Sequence, residues 1–254
     1  MNTLKKLMVF LVVCMATSGA YASDDVKELE KECNGGNFGS CRKLGFSYRF
    51  GVNGVQKDLL KAAELFKNAC DSGHAASCDS LGGMYMTHSA YDENELPPDD
   101  IKAAELFMKA CDLGSAGNCN SLGVDYRNGW HGVQKSKSKA AELFTRACDG
   151  GGILGCYYLG QMYQDGEGVQ QNKSKAVELY GKTCDSGFGS GCWFLGLMYD
   201  RGDGVPQDKN KALEILGKVC VVSGPAESFL AYADLKYRMG LISYFEYLFA
   251  KPCP

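Results

Sequence analysis

Cysteine is the residue whose number and spacing first point to chemistry. The chain has 13 in 254 residues. Cys33, Cys70, Cys111, Cys148, Cys184 and Cys220 are separated by 37, 41, 37, 36 and 36 residues. The first five each have a second cysteine eight positions on: Cys41, Cys78, Cys119, Cys156 and Cys192. Cysteines can be disulfides, metal ligands or nucleophiles. Zinc sites bring their cysteines closer together and recruit histidine. Here there is no C-x-x-C, and the three histidines, His74, His88 and His131, form no pair at ligand spacing. A catalytic thiol would break the repeat with a site of its own, and none is visible. Disulfides are the reading that remains, with no metal and no cofactor expected.

The amino-terminal residues supply the compartment that disulfides need. Lys5 and Lys6 precede a short uncharged apolar run, Leu7 to Ala16, and Ala20-Tyr21-Ala22 has the A-x-A form. This is the pattern of a secretory signal peptide over 1–22, cleaved after Ala22, and the run is too short to span a bilayer. A lipoprotein would want a small residue before Cys14, where Val13 stands. Without Cys14, twelve cysteines remain, an even count behind an export signal. Without Lys5 and Lys6, the net charge of −3 becomes −5. An acidic chain has no basic face to displace the counterions of nucleic acid, nor one to bind an anionic membrane surface. No later segment is long and apolar enough to be transmembrane.

The elements that position the cysteines repeat with them. Each second cysteine opens C-x-x-L-G-x-x-Y, as in Cys41, Leu44, Gly45 and Tyr48, or Cys156, Leu159, Gly160 and Tyr163. Offsets of 0, 3, 4 and 7 fall on one face of a helix, called A. Glycine inside a helix costs about 1 kcal/mol relative to alanine, so its return in every copy implies that another helix passes close. A second helix, B, ends at each first cysteine and carries A-A-E-L-F, as in Ala62 to Phe66 and Ala140 to Phe144. Four residues before its first alanine stand Asp58, Asp99, Ser136, Asn172 and Asp208. All are good N-caps, whose side-chain oxygen accepts from a free backbone N–H of the first turn. Turns such as Gly51-Val52-Asn53-Gly54-Val55 and Gly166-Glu167-Gly168-Val169 join A to B. The second copy has instead a longer segment, Met86 to Pro98, and residues 24–33 hold only a half unit resembling helix B.

The set L-G-x-x-Y, G-x-G-V and K-A-A-E-L-F resembles the Sel1-like repeat, a relative of the tetratricopeptide repeat. With C-x7-C in each unit it is similar, more narrowly, to the secreted Helicobacter cysteine-rich proteins. The resemblance covers residues 25–222. It implies an all-α chain, a right-handed α/α solenoid of Sel1-like helical hairpins stapled by disulfides. About five units fill 23–222, and 223–254 form a capping helix and tail. It also implies a Gram-negative periplasmic or secreted location.

In such hairpins the first cysteine ends helix B and the second begins the next helix A across a short loop. Antiparallel helices joined this way bring the two within the roughly 5.5 Å Cα separation of a disulfide. Each bridge adds about 2–3 kcal/mol by loop entropy. After Cys220 the eighth residue is Ser228, which leaves Cys220 and Cys253. Their pairing is the economical one; a mixed or intermolecular disulfide is the alternative.

The resemblance also carries a β-lactamase name and a link to penicillin binding, hence a β-lactam or peptidoglycan-like ligand. S-x-x-K occurs at Ser40 to Lys43 and at Ser136 to Lys139. Chance supplies about as many matches at this serine and lysine content. Ser40 precedes a cysteine staple and Ser136 is a helix cap. S-D-N is absent, and Lys182-Thr183-Cys184 is not K-T-G, so no nucleophile can be assigned. The other reading is a scaffold that binds a protein or peptide partner, with helix A lining the concave face by fold analogy. The two residues after each helix-A cysteine point away from the L-G-Y stripe. Early in the chain they are polar: Arg42 and Lys43, Asp79 and Ser80, Asn120 and Ser121. Later they are aromatic: Tyr157 and Tyr158, then Trp193 and Phe194. Exposed, these four would anchor a partner; alternatively they pack under the tail at 244–249. Trp130-His131, in a turn, is a further exposed aromatic pair of the same two-sided kind.

Overall fold

The structure is a computed structural model that describes residues 25–86, 97–221 and 226–242, with the backbone alone for 219–221 and 226–231. The signal-peptide residues, the centre of the long second-copy segment and Cys253 lie outside these. The described residues form two compact units, one ending at Ser115 and one beginning at Ala116.

The first unit contains α1 (25–34), α2 (Phe38–Phe50), α3 (Leu59–Asp71), α4 (Ala75–Met86) and α5 (Asp100–Asp112). The second contains α6 (Ala116–Asn128), α7 (Lys137–Asp149), α8 (Ile153–Asp165), α9 (Lys173–Asp185), α10 (Gly189–Arg201), α11 (Lys209–Val221) and α12 (Ala226–Arg238). The fold is all-α, and the described residues contain no strand. From α2 onward A and B helices alternate, and nearly all are 13 residues long. The length follows from the caps. Asp58, Asp99, Ser136, Asn172 and Asp208 each accept from the backbone N–H three residues on, at 2.9 to 3.3 Å. Each B helix then runs one residue past its cysteine. In α3, α5, α7 and α9 a glycine with positive φ follows two residues later, at Gly73, Gly114, Gly151 and Gly187, and turns the chain into the next A helix.

The hairpin closes by one hydrogen bond that the sequence pattern does not announce. The N–H of each N-cap residue donates to the carbonyl of the L-G-x-x-Y tyrosine: Asp58 to Tyr48, Asp99 to Tyr85, Ser136 to Tyr126, Asn172 to Tyr163 and Asp208 to Tyr199, at 2.7 to 3.0 Å. The turn lengths differ, and the closure does not. The long second-copy segment ends in this same bond.

The repeated glycine has a specific neighbour. A methyl added at Gly45, Gly82, Gly123, Gly160 or Gly196 would stand 2.5 to 2.8 Å from Phe66, Phe107, Phe144, Tyr180 or Leu216. These are the last residues of the A-A-E-L-F phrase. The helix B side chain lies directly on the glycine of its own hairpin, so the close approach is side chain on backbone rather than backbone on backbone. Phe66, Phe144 and Tyr180 are fully buried there.

Each hairpin carries one more constant contact. The ammonium of Lys61, Lys102, Lys139, Lys175 or Lys211 lies 4.1 to 4.5 Å from the ring centre of Tyr48, Tyr85, Tyr126, Tyr163 or Tyr199. Lys61 and Lys175 also donate to their tyrosine hydroxyls, at 2.6 and 2.8 Å. The hydroxyl contact raises the pKa of Lys61, Lys102, Lys175 and Lys211. The attraction between cation and ring face is modest at a solvated position, and it ties the start of helix B to the end of helix A in every copy.

Candidate functional site

Ten of the predicted cysteines are oxidised. Cys33–Cys41, Cys70–Cys78, Cys148–Cys156 and Cys184–Cys192 have Cα separations of 4.4 to 4.7 Å. Cys111 and Cys119 are disulfide-bonded as well. The partner of Cys220 is a question that falls outside the described side chains. Among the described residues no group of three His, Cys, Asp or Glu is placed to hold a metal ion.

The two S-x-x-K serines have structural duties. The Ser40 hydroxyl, almost fully buried, donates to Glu32. Ser136 accepts from the backbone N–H of Lys139 at 3.3 Å, and the Lys139 ammonium sits over Tyr126 instead of beside the serine. Neither serine is arranged as a nucleophile with its lysine as base.

The positions that follow the helix-A cysteine build two different surfaces. In the first unit they form a polar link. Arg42 Nε donates to the Ala76 carbonyl at 3.1 Å and to Ser80 Oγ at 2.9 Å, which joins α2 to α4. In the second unit the equivalent residues form an aromatic layer across α8 and α10. Tyr158 stacks on Phe144 at 5.1 Å between ring centres, and Phe194 stacks on Tyr180 at 5.1 Å. Tyr157 meets Tyr158, Tyr180, Phe188 and Phe194 at 5.2 to 6.2 Å. Trp193 meets Phe194 edge-on at 4.5 Å.

The four predicted aromatics are therefore brought together, and each is half-buried. Their packing partners among the described residues are rings of neighbouring helices; the tail at 244–249 lies outside the described residues. Phe188, the N-cap residue of α10, joins them and was not singled out from sequence. Its position just before an A helix, where other copies have a small or polar residue, was the available signal. Trp193 Nε1 is buried with no acceptor among the described residues.

One edge of the layer is polar. Gln161 donates to the Tyr157 hydroxyl at 3.0 Å and accepts from Arg127 at 3.3 Å. Arg127 also pairs with Glu167 at 3.1 Å, and Lys137 reaches the same carboxylate at 2.8 Å. Lys137, aided by Arg127, holds Glu167 below the usual carboxylate range. Burial pushes the Tyr157 phenol up, so it stays neutral at neutral pH. The surface can stack on apolar or planar groups and offer a guanidinium and amide at its rim. Trp130 is exposed in its turn, and His131 Nδ1 lies 2.8 Å from Asp125 Oδ1.

The Sel1 repeat is matched five times, over residues 39–74, 79–115, 119–152, 153–188 and 189–218, more than half of the chain. The chain belongs to the Sel1 repeat family. Among solved structures it is similar to c5321, a protective antigen of uropathogenic Escherichia coli with an SLR fold. The TM-score is 0.71 at 26% identity, covering 87% of this chain and 45% of that one. Helicobacter pylori cysteine rich protein B aligns at 28% identity over 52% of this chain and 92% of its own, with a TM-score of 0.41. Among curated proteins, cytochrome c oxidase assembly factor 7A of Xenopus laevis is 32% identical over 65 residues, 26% of this chain. The chain spans 9% and 28% of the length of the curated relatives it matches. These Sel1 repeats make a disulfide-rich helical scaffold of the kind that mediates protein interaction.

Proposed function

We propose that this chain is an exported scaffold that holds a protein or peptide partner on the aromatic layer of α8 and α10. The observation that carries the reading is where the aromatics fall. Cysteine, leucine, glycine and tyrosine of the A helix are required by the staple and the hairpin. The two positions after the cysteine are not, since Arg42 and Lys43 or Asp79 and Ser80 serve there in the first unit. In the second unit those unconstrained positions become Tyr157, Tyr158, Trp193 and Phe194. Half-buried tyrosine and tryptophan with a polar rim is the composition of an interaction hot spot. Export is supported by the oxidised pairs, which persist in oxidising compartments. It is also supported by the absence, among the described residues, of any helix long and apolar enough to cross a membrane.

Crosslinking in cells with a photoreactive amino acid at Tyr157 or Trp193 tests this. A discrete crosslinked band is expected from those positions and none from Lys43 or Asp79. Equal crosslinking from all four sites would overturn the assignment of the surface.

A further inference from the structure

The second unit holds another concavity, remote in sequence from the aromatic positions. Helices α9, α10 and α11 together line a cavity of about 730 Å3. Its floor is apolar, with Val177, Leu195 and Ile215 and the Cys184–Cys192 disulfide. The equivalent positions one repeat earlier carry Thr145 and Ile153, three residues before Cys148 and Cys156. Three residues before Cys184 and Cys192 stand Gly181 and Gly189. The cavity exists where two side chains have been replaced by hydrogen. Packing does not ask for this at Gly181, because a methyl added there would meet nothing within 4 Å. That contrasts with Gly160 and Gly196, each under a side chain.

Charge at the rim is also unbalanced in one place. In the first unit Lys109 crosses from α5 to Asp71 at the end of α3, at 2.7 Å. The residues in the same register here are Lys218 and Asp185. Lys218 folds back onto Glu214 of its own helix at 2.7 Å, and Lys182 likewise takes Glu178 at 3.2 Å. Lys211 is held over Tyr199. Asp185 is left lining the cavity with no ion-pair partner among the described residues. An apolar floor beside one uncommitted carboxylate matches an apolar group next to a cation.

We infer that this groove binds a segment of a partner polypeptide in which an apolar side chain is followed by lysine or arginine. The apolar side chain fills the space above Val177 and Ile215 that Gly181 and Gly189 leave open. The neighbouring cation takes the place of the cross-helix lysine at Asp185.

The test uses the full oxidised chain and a fluorescein-labelled peptide with Leu-Lys-Leu at its centre and Gly-Ser flanks. A second peptide carries norleucine in place of lysine. Saturable binding of the lysine peptide is expected, about tenfold tighter than the norleucine peptide, as a charge-assisted contact of this kind gives. Asp185→Asn should remove that difference and leave norleucine binding unchanged. Gly181→Thr with Gly189→Ile grafts in the side chains of the preceding repeat and should abolish binding of both peptides. Because these two changes replace helical glycines with residues already present in a sister repeat, a thermal melt at or above that of the parent chain shows the fold intact. No saturable binding, equal affinity for the two peptides, or binding that survives the filled groove would each overturn the proposal. Substitutions at Tyr157 and Trp193 should leave peptide binding here untouched, which separates the failure of this site from failure of the aromatic surface.

Discussion

The two units of this chain are built from the same hairpin and differ in what they place after the A-helix cysteine. In the first, Arg42 reaches across to Ser80 and the Ala76 carbonyl, and the surface is polar. In the second, Tyr158 and Phe194 stack on the rings of Phe144 and Tyr180, and Tyr157 and Trp193 extend the layer outward. The buried ring on the hairpin glycine is common to both. So the core contact and the variable contact are adjacent, and one can change while the other is kept. That separation is what allows a repeat protein to vary its surface without refolding.

Four changes sharpen this comparison. Removing the shared ring should have the largest effect: Phe66→Ala and Phe144→Ala should each cost about 3–5 kcal/mol, as for large core truncations. Urea unfolding checks this, and a loss confined to one unit would show that the hairpins are not equivalent. The staples come next. Replacing both cysteines of Cys70–Cys78 or of Cys184–Cys192 by serine should cost about 2–3 kcal/mol, the loop-entropy value for short loops. The two bridges should differ in reactivity, because Cys70 and Cys78 are sealed at 1% and 0% exposure while Cys184–Cys192 lines the α9–α11 cavity. Mass mapping during titration with a small thiol should find the second bridge reduced first.

Exchanging the variable layer should cost less. Tyr158→Ser, the residue that Ser80 supplies in the first unit, should lower stability by about 0.5–1.5 kcal/mol through loss of the stacked pair. A larger change would mean that the layer belongs to the core. The smallest effects concern charge. Asp71, held by Lys109 and Lys67, has its pKa lowered from 3.8 to about 2. A depressed carboxylate contributes above its unfolded value and loses that contribution as pH falls through the folded one. Comparing Asp71→Asn with the parent chain, the difference in melting temperature should be present at pH values above 3.8 and fade between 3.8 and about 2. The Lys–Tyr pairs behave in the opposite sense. Their lysines are raised above 10.5, so their contribution is complete below that pH and is lost as pH climbs beyond it.

Most of the hairpin was legible because its causes are local. The caps act over three residues, the staples over eight, and the apolar stripe within a few helical turns. The glycine of L-G announced a close approach, but not that a side chain from A-A-E-L-F makes it. Tyr48 and Lys61 are 13 residues apart and on different elements, so no period exposes their contact. The turns show the same limit. Asn53 and His131 both have positive φ, and each reaches back to the A-helix residue six beyond the cysteine, Ser47 and Asp125. In the shorter glycine turns that residue is a buried methionine, Met162 or Met198. Polar residue and longer turn travel together, a correlation that only the fold makes meaningful.

The sequence by itself determined the repeat, the alternation of A and B helices, the caps and the local cysteine pairs. Each follows from forces acting between residues close along the chain, where backbone geometry leaves few alternatives. The tertiary structure alone decided which rings meet across α8 and α10. It alone decided that Gly181 and Gly189 open a cavity while Gly160 and Gly196 fill a contact, and that Asp185 lacks the partner Asp71 has. Those outcomes depend on side chains from three helices reaching one place. A residue's type does not reveal whether the space beside it is occupied.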